Sequence, residues 1–523
     1  MDEKVKIAKA AGVMSAATFI SRILGFVRDM IFALYFGAGG LSDTFFAAFK
    51  IPNLLRELFA EGSMSAAFIP VLTEYRQKEG EEAAKRLVRI TFSFIVITVG
   101  LICVLGIIFS PAIVTVIAPG FLKFPEKFSM TVVLTRIMFP FLLFISLAAL
   151  VMGALNTKKV FFVPALAPAM LNITLILSIV FFEAVAEQPI LTAAVGVVVG
   201  GFVQFVFQLP TFFRNGYGLG LDTRFSHPGL RKMSLLLIPA TMALAVNQIN
   251  IVVSNILASY LPSGSITYLF YSMRLIQFPI GIFGVAMGMA VLPSLSEHAA
   301  RGDFGRLRED FSFALRLLFF ITVPAMAGLI ALGKPIVNLL FQHGKFDYAA
   351  TKGTVQALFF YSLGIWSIVG VRVITATFYA MQDTKTPVKI ASGAMLLNIA
   401  LSLYLMGPLR HAGLALANAL ASWATFFLLM YFLRKKLGRI DARRIMVSFG
   451  KIGIASLVMG LAGWALLHGD LWERSGNILI KAAYFGGTAF FCILLYSSAS
   501  HLLKSEELYY LYSMIRGRFR KKE

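Results

Sequence analysis

Charge is scarce in this chain. Only 14% of its 523 residues are Asp, Glu, Lys or Arg, and the 48 basic residues outnumber the 26 acidic ones. A soluble globular protein carries about 25% charged residues. Cysteine is nearly absent: Cys103 and Cys492 both lie in apolar runs, which excludes a disulfide framework and reads as the packing of small hydrophobes. Catalytic motifs are missing as well. Gly-Lys occurs at 333, 344 and 450 and is never followed by Ser or Thr, so there is no ATPase phosphate loop. There is no HExxH or CxxC, and the six histidines are scattered, which argues against a zinc site. The first apolar run follows Lys4, Lys6 and Lys9 but continues past signal-peptide length without a small-residue cleavage site.

What is there is apolar: 58% of residues are hydrophobic, with a mean hydropathy of +0.79. Spanning a bilayer takes about 20 mainly apolar residues per helix. Fourteen such stretches are expected, at 12–37, 42–74 (long, with a break near Pro52), 90–118, 129–155, 162–183, 189–213, 233–260, 266–297, 312–333, 353–381, 387–406, 412–433, 445–468 and 476–503. The connections are too short for a soluble domain. With a cytoplasmic N-terminus, the inside segments hold 32 lysines and arginines and the outside loops eight. That bias places both termini inside. It also assigns the basic residues to topology and phospholipid contacts, not nucleic acid, and the tail from Arg516 to Lys522 to the membrane surface.

The chain repeats itself. Shifted by 223 residues, Ser42, Thr44, Met64, Ala67, Pro70, Leu72 and Glu74 fall on Ser265, Thr267, Met287, Ala290, Pro293, Leu295 and Glu297. Shifts of 223–227 also bring Pro111 onto Pro335, Pro164 onto Pro387 and AMLNI onto AMLLNI. Six spans per copy is an even number, so both copies have one orientation. Transporters use this symmetry, with substrate held near midplane. The fold class is therefore an all-α polytopic membrane protein of 14 transmembrane helices, in two parallel six-helix repeats plus two C-terminal helices. The expected divisions are 1–220, 221–437 and 438–523.

Ionisable residues inside these spans are costly and read as functional. Arg22 and Asp29, seven residues apart, share a helix face within about 20°, whereas Arg28 lies about 120° from Arg22 on an ideal helix. Arg22 at an interface with Arg28 paired to Asp29 is the bland reading of the first span. The second span carries Asp43, Lys50, Arg56, Glu57 and Glu61. Asp43 follows a Gly-rich turn, as a helix cap or in a gating role. Glu57 and Glu61 are one turn apart, which suits protonation of one or pairing with Arg56 or Lys50. Arg274 and Arg372 are the cations of the eighth and tenth spans. Surplus positive charge fits a phosphate or diphosphate ligand, since guanidinium groups bind phosphate oxygens in bidentate fashion. Asn247, Gln248, Asn250, Asn255, Asn398, Ser402 and Asn418 read mostly as interhelical hydrogen-bonding groups.

At SRILGFVRD, FGAGGLSDTFFAAFKIPNLLRELFAEGSMSAAFIPVL, YSMRLIQFPIGIFGVAMGMAVLPSLS and QDTKTPVKIA the chain resembles the MurJ (MviN) family of lipid II flippases, within the multidrug/oligosaccharidyl-lipid/polysaccharide exporter superfamily. The resemblance covers essentially the whole chain. It implies a non-enzymatic carrier in the bacterial cytoplasmic membrane. The cargo would be lipid II, the undecaprenyl-diphosphate-linked disaccharide-peptide precursor of the cell wall, moved to the outer leaflet. It carries Arg22, Arg28, Arg56 and Arg274 over as substrate contacts, with Asp43. Asp29 and Arg372 join the substrate set, and Lys50, Glu57 and Glu61 join Asp43 in gating or charge pairing. In the family the last two helices form a groove thought to take the lipid tail. Some members bind sodium through carboxylates between spans seven, eleven and twelve. The matching residues here, Asn398, Ser402 and Asn418, include no acid, so a weak cation site or none is expected, and no other cofactor. A monomer is expected, near cell-wall synthesis enzymes. The alternatives are a flippase for another polyprenyl-diphosphate oligosaccharide, or a membrane glycosyltransferase or ligase using the same lipid.

Overall fold

The computed structural model describes residues 3–58, 64–281 and 285–520, all of them in helices, turns or short connections. The chain divides into two compact units, Met1–Ser263 and Gly264–Glu523. The first unit holds α1 (Glu3–Phe36), α2 (Gly40–Leu55), α3 (Met64–Lys78), α4 (Glu81–Ile108), α5 (Ser110–Ile117), α6 (Pro125–Met138), α7 (Phe141–Thr157), α8 (Phe162–Phe182), α9 (Ile190–Arg214) and α10 (Pro228–Ser259). The second holds α11 (Ser265–Pro279), α12 (Val285–Ala300), α13 (Phe304–Ala331), α14 (Gly333–Phe341), α15 (Tyr348–Ser362), α16 (Ile365–Ala380), α17 (Lys385–Leu409), α18 (His411–Leu437), α19 (Ala442–Leu467), α20 (Ile478–Leu502) and α21 (Glu506–Arg520).

The repeat is visible helix by helix. α4 and α13 begin and end 223 residues apart, and α18 ends 223 residues after α9. α5, α6, α7 and α8 match α14, α15, α16 and α17 within a few residues at the same shift. The two copies also share an irregularity: a wider π turn follows α2 at 56–58 and α11 at 280–281. Such turns recur at functional sites. Pro52 does not end its helix. α2 runs on to Leu55, and the irregularity comes after it. A proline removes one backbone hydrogen bond, which kinks a helix without necessarily stopping it. α4 and α13 each start eight or nine residues before the expected span, because their charged first turns stay helical beyond the apolar stretch.

Packing inside the first unit joins α8 to α9 and to α1, and α7 to α9. Small residues let these backbones approach, as expected where lipid offers no hydrophobic drive for helix association. Gly196 and Gly200 put one bare stripe of α9 against α8; a Cβ on Gly200 would lie 2.6 Å from Leu171 Cδ1 and 3.1 Å from its carbonyl oxygen. Phe32, Phe45, Phe68 and Phe141 are buried in the core. In the second unit α17 packs along α18, and α13 along α19. The outer surface is apolar: Leu101, Ile108, Phe181, Leu403, Ile480 and Phe490 are all more than half exposed. Surfaces of that kind face lipid.

Ten described helices are long and apolar enough to cross a membrane, so the chain is a multi-pass membrane protein. The remaining expected spans lie at α1, at α2 with α3, at α10, and at α11 with α12.

Candidate functional site

Asp29 is 3% exposed. Its neighbour Arg28 turns onto it, with Nη2 donating to Oδ1 at 2.6 Å and Nε to the same oxygen at 3.0 Å. The third nitrogen, Nη1, donates to Asn172 Oδ1 on α8 at 3.1 Å. Asn172 in turn donates to the Ser21 carbonyl on α1 at 3.2 Å. Arg28 is thus paired and aimed, with part of its side chain still accessible. Arg22 differs: it is exposed, and no acid pairs with it among the described residues.

Asp43 is also buried, at 1% exposure. It does not cap α2; Gly39 holds that position, and Asp43 sits in the first turn. Its carboxylate lies 3.5 Å from Lys127 Nζ on α6. Ser42 closes the other side of the turn, donating to the Gly37 carbonyl at 2.8 Å. Gly37 has φ of 64°, the left-handed region where glycine is favoured.

At the far end of α2, Asn53 links the next pair. It accepts from Arg56 Nε at 3.1 Å and donates to Glu57 Oε1 at 2.9 Å. Arg56 Nη2 is 3.8 Å from the same carboxylate oxygen. Gln248 on α10 donates to the other oxygen of Glu57. Asn53, Arg56, Glu57 and Gln248 therefore form a hydrogen-bonded network across two helices. Lys50 is half-buried on α2. Glu61 lies outside the described residues.

In the second unit, Arg274 is half-buried on α11 and Arg372 is exposed on α16. Asn398 and Ser402 are buried on α17, one turn apart, and Asn418 is half-buried on α18. No group of three His, Cys, Asp or Glu that would hold a metal ion occurs among the described residues.

The two C-terminal membrane helices are fastened at both ends. At one end Arg316 on α13 donates through Nη1 to Glu507 at 2.7 Å and to Glu506 at 2.9 Å. Ser448 and Ser505 add hydrogen bonds to Glu507 at 2.9 and 2.8 Å, and Arg444 binds Glu506 at 2.7 Å. The Arg444 and Arg316 guanidinium groups hold the Glu506 carboxyl below its usual range. At the other end, Lys481 on α20 donates to Asn338 on α14 at 3.0 Å, and Asn338 donates to the Trp472 carbonyl at 2.9 Å. Lys334 and Tyr348 both bind Glu473 at 2.8 Å and hold its carboxyl below the usual range.

Asn172, Lys127 and the Arg316–Glu507 cluster were not singled out from sequence, whereas Gln248 makes the interhelical hydrogen bond expected of it. The repeat did carry one hint: Asn172 matches Asn398 in the AMLNI and AMLLNI segments.

A repeat of broken and continuous apolar helices, with intramembrane arginines held by asparagine and acid partners, defines a polytopic α-helical transporter. The family model described as Lipid II flippase MurJ matches residues 32–478. The chain belongs to the lipid II flippase MurJ family. A Buchnera aphidicola protein named Probable lipid II flippase MurJ is 36% identical over 457 residues, 87% of this chain and 89% of its own. One from Burkholderia cenocepacia, named Lipid II flippase MurJ, is 34% identical over 496 residues, 94% of this chain and 95% of its own. A solved structure titled as lipid II flippase MurJ in an inward closed conformation superposes with a TM-score of 0.76 at 28% identity, over 94% of this chain and 98% of its own. An inward-facing multidrug resistance MATE family transporter of the MOP superfamily shares the fold, with a TM-score of 0.67 at 13% identity, over 83% of this chain and 99% of its own.

Proposed function

We propose that this chain carries lipid II from the inner to the outer leaflet of the bacterial cytoplasmic membrane, with both termini cytoplasmic. Its relatives are named as flippases, which are carriers and not enzymes. The observation that supports this reading most directly is the state of Arg22 and Arg372. Both are exposed within apolar helices and no acid pairs with either among the described residues. A cation in such a place is tolerated where it meets water or an opposite charge. A diphosphate supplies that charge twice over. We assign its binding to Arg22, Arg28, Arg56, Arg274 and Arg372, with Asp29 holding Arg28 in place. Asp43, Lys50, Glu57 and Glu61 balance charge as the protein moves. The six-span lobes 1–220 and 221–437 do the moving, and 438–523 serves the lipid tail. The protein acts as a monomer in contact with phospholipid. We assign sodium at most a weak site at Asn398, Ser402 and Asn418, since none of the three carries a charge.

Transport by alternating access requires a ligand with different affinity for the two states. With no nucleotide motif, the drive is a gradient. The membrane potential supplies about 2.3 kcal/mol per charge per 100 mV. The test is flipping in proteoliposomes, with lipid II and with an undecaprenyl-diphosphate lipid bearing a different sugar. Lipid II is expected to move, faster under an imposed potential, and Arg22→Ala to stop it. Movement of only the second lipid would replace the substrate, and movement of neither would overturn the proposal.

A further inference from the structure

A second cationic site is built from other residues than the intramembrane arginines. The segment joining α9 to α10 runs back over the start of α4. Ser93, fully buried on α4, fixes it there: its Oγ accepts from the Asp222 backbone N–H at 2.8 Å and donates to the Arg89 carbonyl at 3.0 Å. Phe225 meets Phe94 edge to face, with ring centroids 5.9 Å apart. The result is an open cleft of about 550 Å³ lined by Arg86, Arg89, Arg224 and Asp222 with Gly220, Leu221 and Thr223. That volume is in the range of small-ligand sites, roughly 300–1,000 Å³.

Three arginines line the cleft with one acid, and two of them share it. Asp222 sits 3.7 Å from Arg86 Nε and 3.6 Å from Arg224 Nε. Those distances leave both guanidinium forks open to another acceptor. Arg89 is exposed and pairs with no acid among the described residues. The cleft thus carries surplus positive charge on a segment whose backbone is already fixed. The same short segment shows Leu221 at 77% and Phe225 at 37% exposure. An exposed leucine beside arginines, at the end of a membrane helix, matches the boundary between headgroups and acyl chains.

We propose that this cleft binds the phosphate of an anionic phospholipid of the cytoplasmic leaflet, with Leu221 and Phe225 reaching the acyl boundary. Guanidinium forks suit phosphate oxygens, and basic pockets on the cytoplasmic side of membrane helices bind lipid headgroups. The site shares no residue with the proposed lipid II contacts and does not depend on them.

The full-length protein in detergent, mixed with phosphatidylglycerol or phosphatidylcholine, is examined by native mass spectrometry for retained lipid. Phosphatidylglycerol is expected to be retained over phosphatidylcholine. Each arginine near the surface changes affinity about fivefold, so Arg89→Gln/Arg224→Gln should weaken phosphatidylglycerol binding roughly 25-fold. Arg89→Lys/Arg224→Lys keeps the charge and should fall in between. It also controls for folding, together with gel filtration of each variant. Leu221→Ser should weaken lipid retention while leaving competition by inorganic phosphate unchanged. Equal retention of both lipids, or no effect of the Gln variant, would overturn the proposal. So would a soluble phosphate that displaces the lipid at low millimolar concentration while Leu221→Ser has no effect, since the cleft would then serve a free phosphate.

Discussion

Arg28 Nη1 donates to Asn172 Oδ1 across 3.1 Å and 144 residues of chain. This bond ties the intramembrane arginine of α1 to α8, while Asn172 also holds the backbone of α1 at Ser21. One uncharged side chain therefore fixes both the direction of the guanidinium and the packing of two helices.

Removing that side chain has a defined cost. A hydrogen bond to a charged group contributes about 1.5–3 kcal/mol. Asn172→Ala should lower the stability of the folded protein by that order, seen as a drop in melting temperature in detergent. Asn172→Asp should keep the fold and slow transport, because a second acid competes with the diphosphate for Arg28. Unchanged flipping by Asn172→Asp would show that Arg28 does not contact substrate.

Arg22 and Arg28 should behave differently. Arg22→Ala removes an exposed, unpaired cation, so melting temperature and membrane abundance should hold while lipid II binding weakens roughly ten- to a hundredfold. Arg28→Ala removes the guanidinium paired with the buried Asp29 carboxylate, so stability and transport should fall together. Thermal melts and flipping assays on the two variants separate these outcomes. Equal loss of stability in both would count against the distinction.

The Arg316–Glu507 pair is 5% and 2% exposed. Breaking a buried ion pair from one side costs about 3–5 kcal/mol, whereas replacing both partners by apolar residues is often neutral or stabilising. Glu507→Gln should therefore melt well below the parent. Arg316→Met/Glu507→Leu should recover most of the loss. A double variant as unstable as the single would show that the hydrogen bonds from Ser448 and Ser505 dominate.

Asp383, in the connection between α16 and α17, accepts from Lys436 at 2.9 Å and from Thr386. Lys436 is the main cause that brings its carboxyl from 3.8 down to about 2. A carboxylate depressed in the folded state stabilises it above the unfolded pKa and loses that contribution as pH falls through the folded value. The window here runs from about pH 4 to about pH 2. Melting temperature should fall across it, and Asp383→Asn should flatten part of that fall. Identical slopes for parent and variant would show that this pair contributes nothing measurable.

The helices were largely legible because the repeat repeats: α13 reproduces the limits of α4, and Pro335 and Pro387 mark the same corners as Pro111 and Pro164. Hydropathy misplaced the ends of α4 and α13, since residues such as Glu81 and Arg306 belong to the helix but not to its apolar stretch. The charged residues inside the spans announced themselves by their cost. Most of their partners did not. Gln248 was expected to bond between helices and does so at Glu57, but Asn172 and Lys127 are ordinary polar residues until packing brings them to Arg28 and Asp43. Nothing local marks an asparagine that will face an arginine 144 residues away.

Glu507 follows Arg316 by 191 residues. A ribosome adding about 5–20 residues per second makes them roughly 10–40 s apart. For that interval α13 has been made, but Glu506 and Glu507, the acids that Arg316 binds in the folded protein, have not. The completion of α21 therefore sets the earliest time at which this cluster can form. A ribosome that stalls or a message cut short before codon 507 leaves a protein whose repeats are complete in sequence but whose Arg316 lacks Glu507.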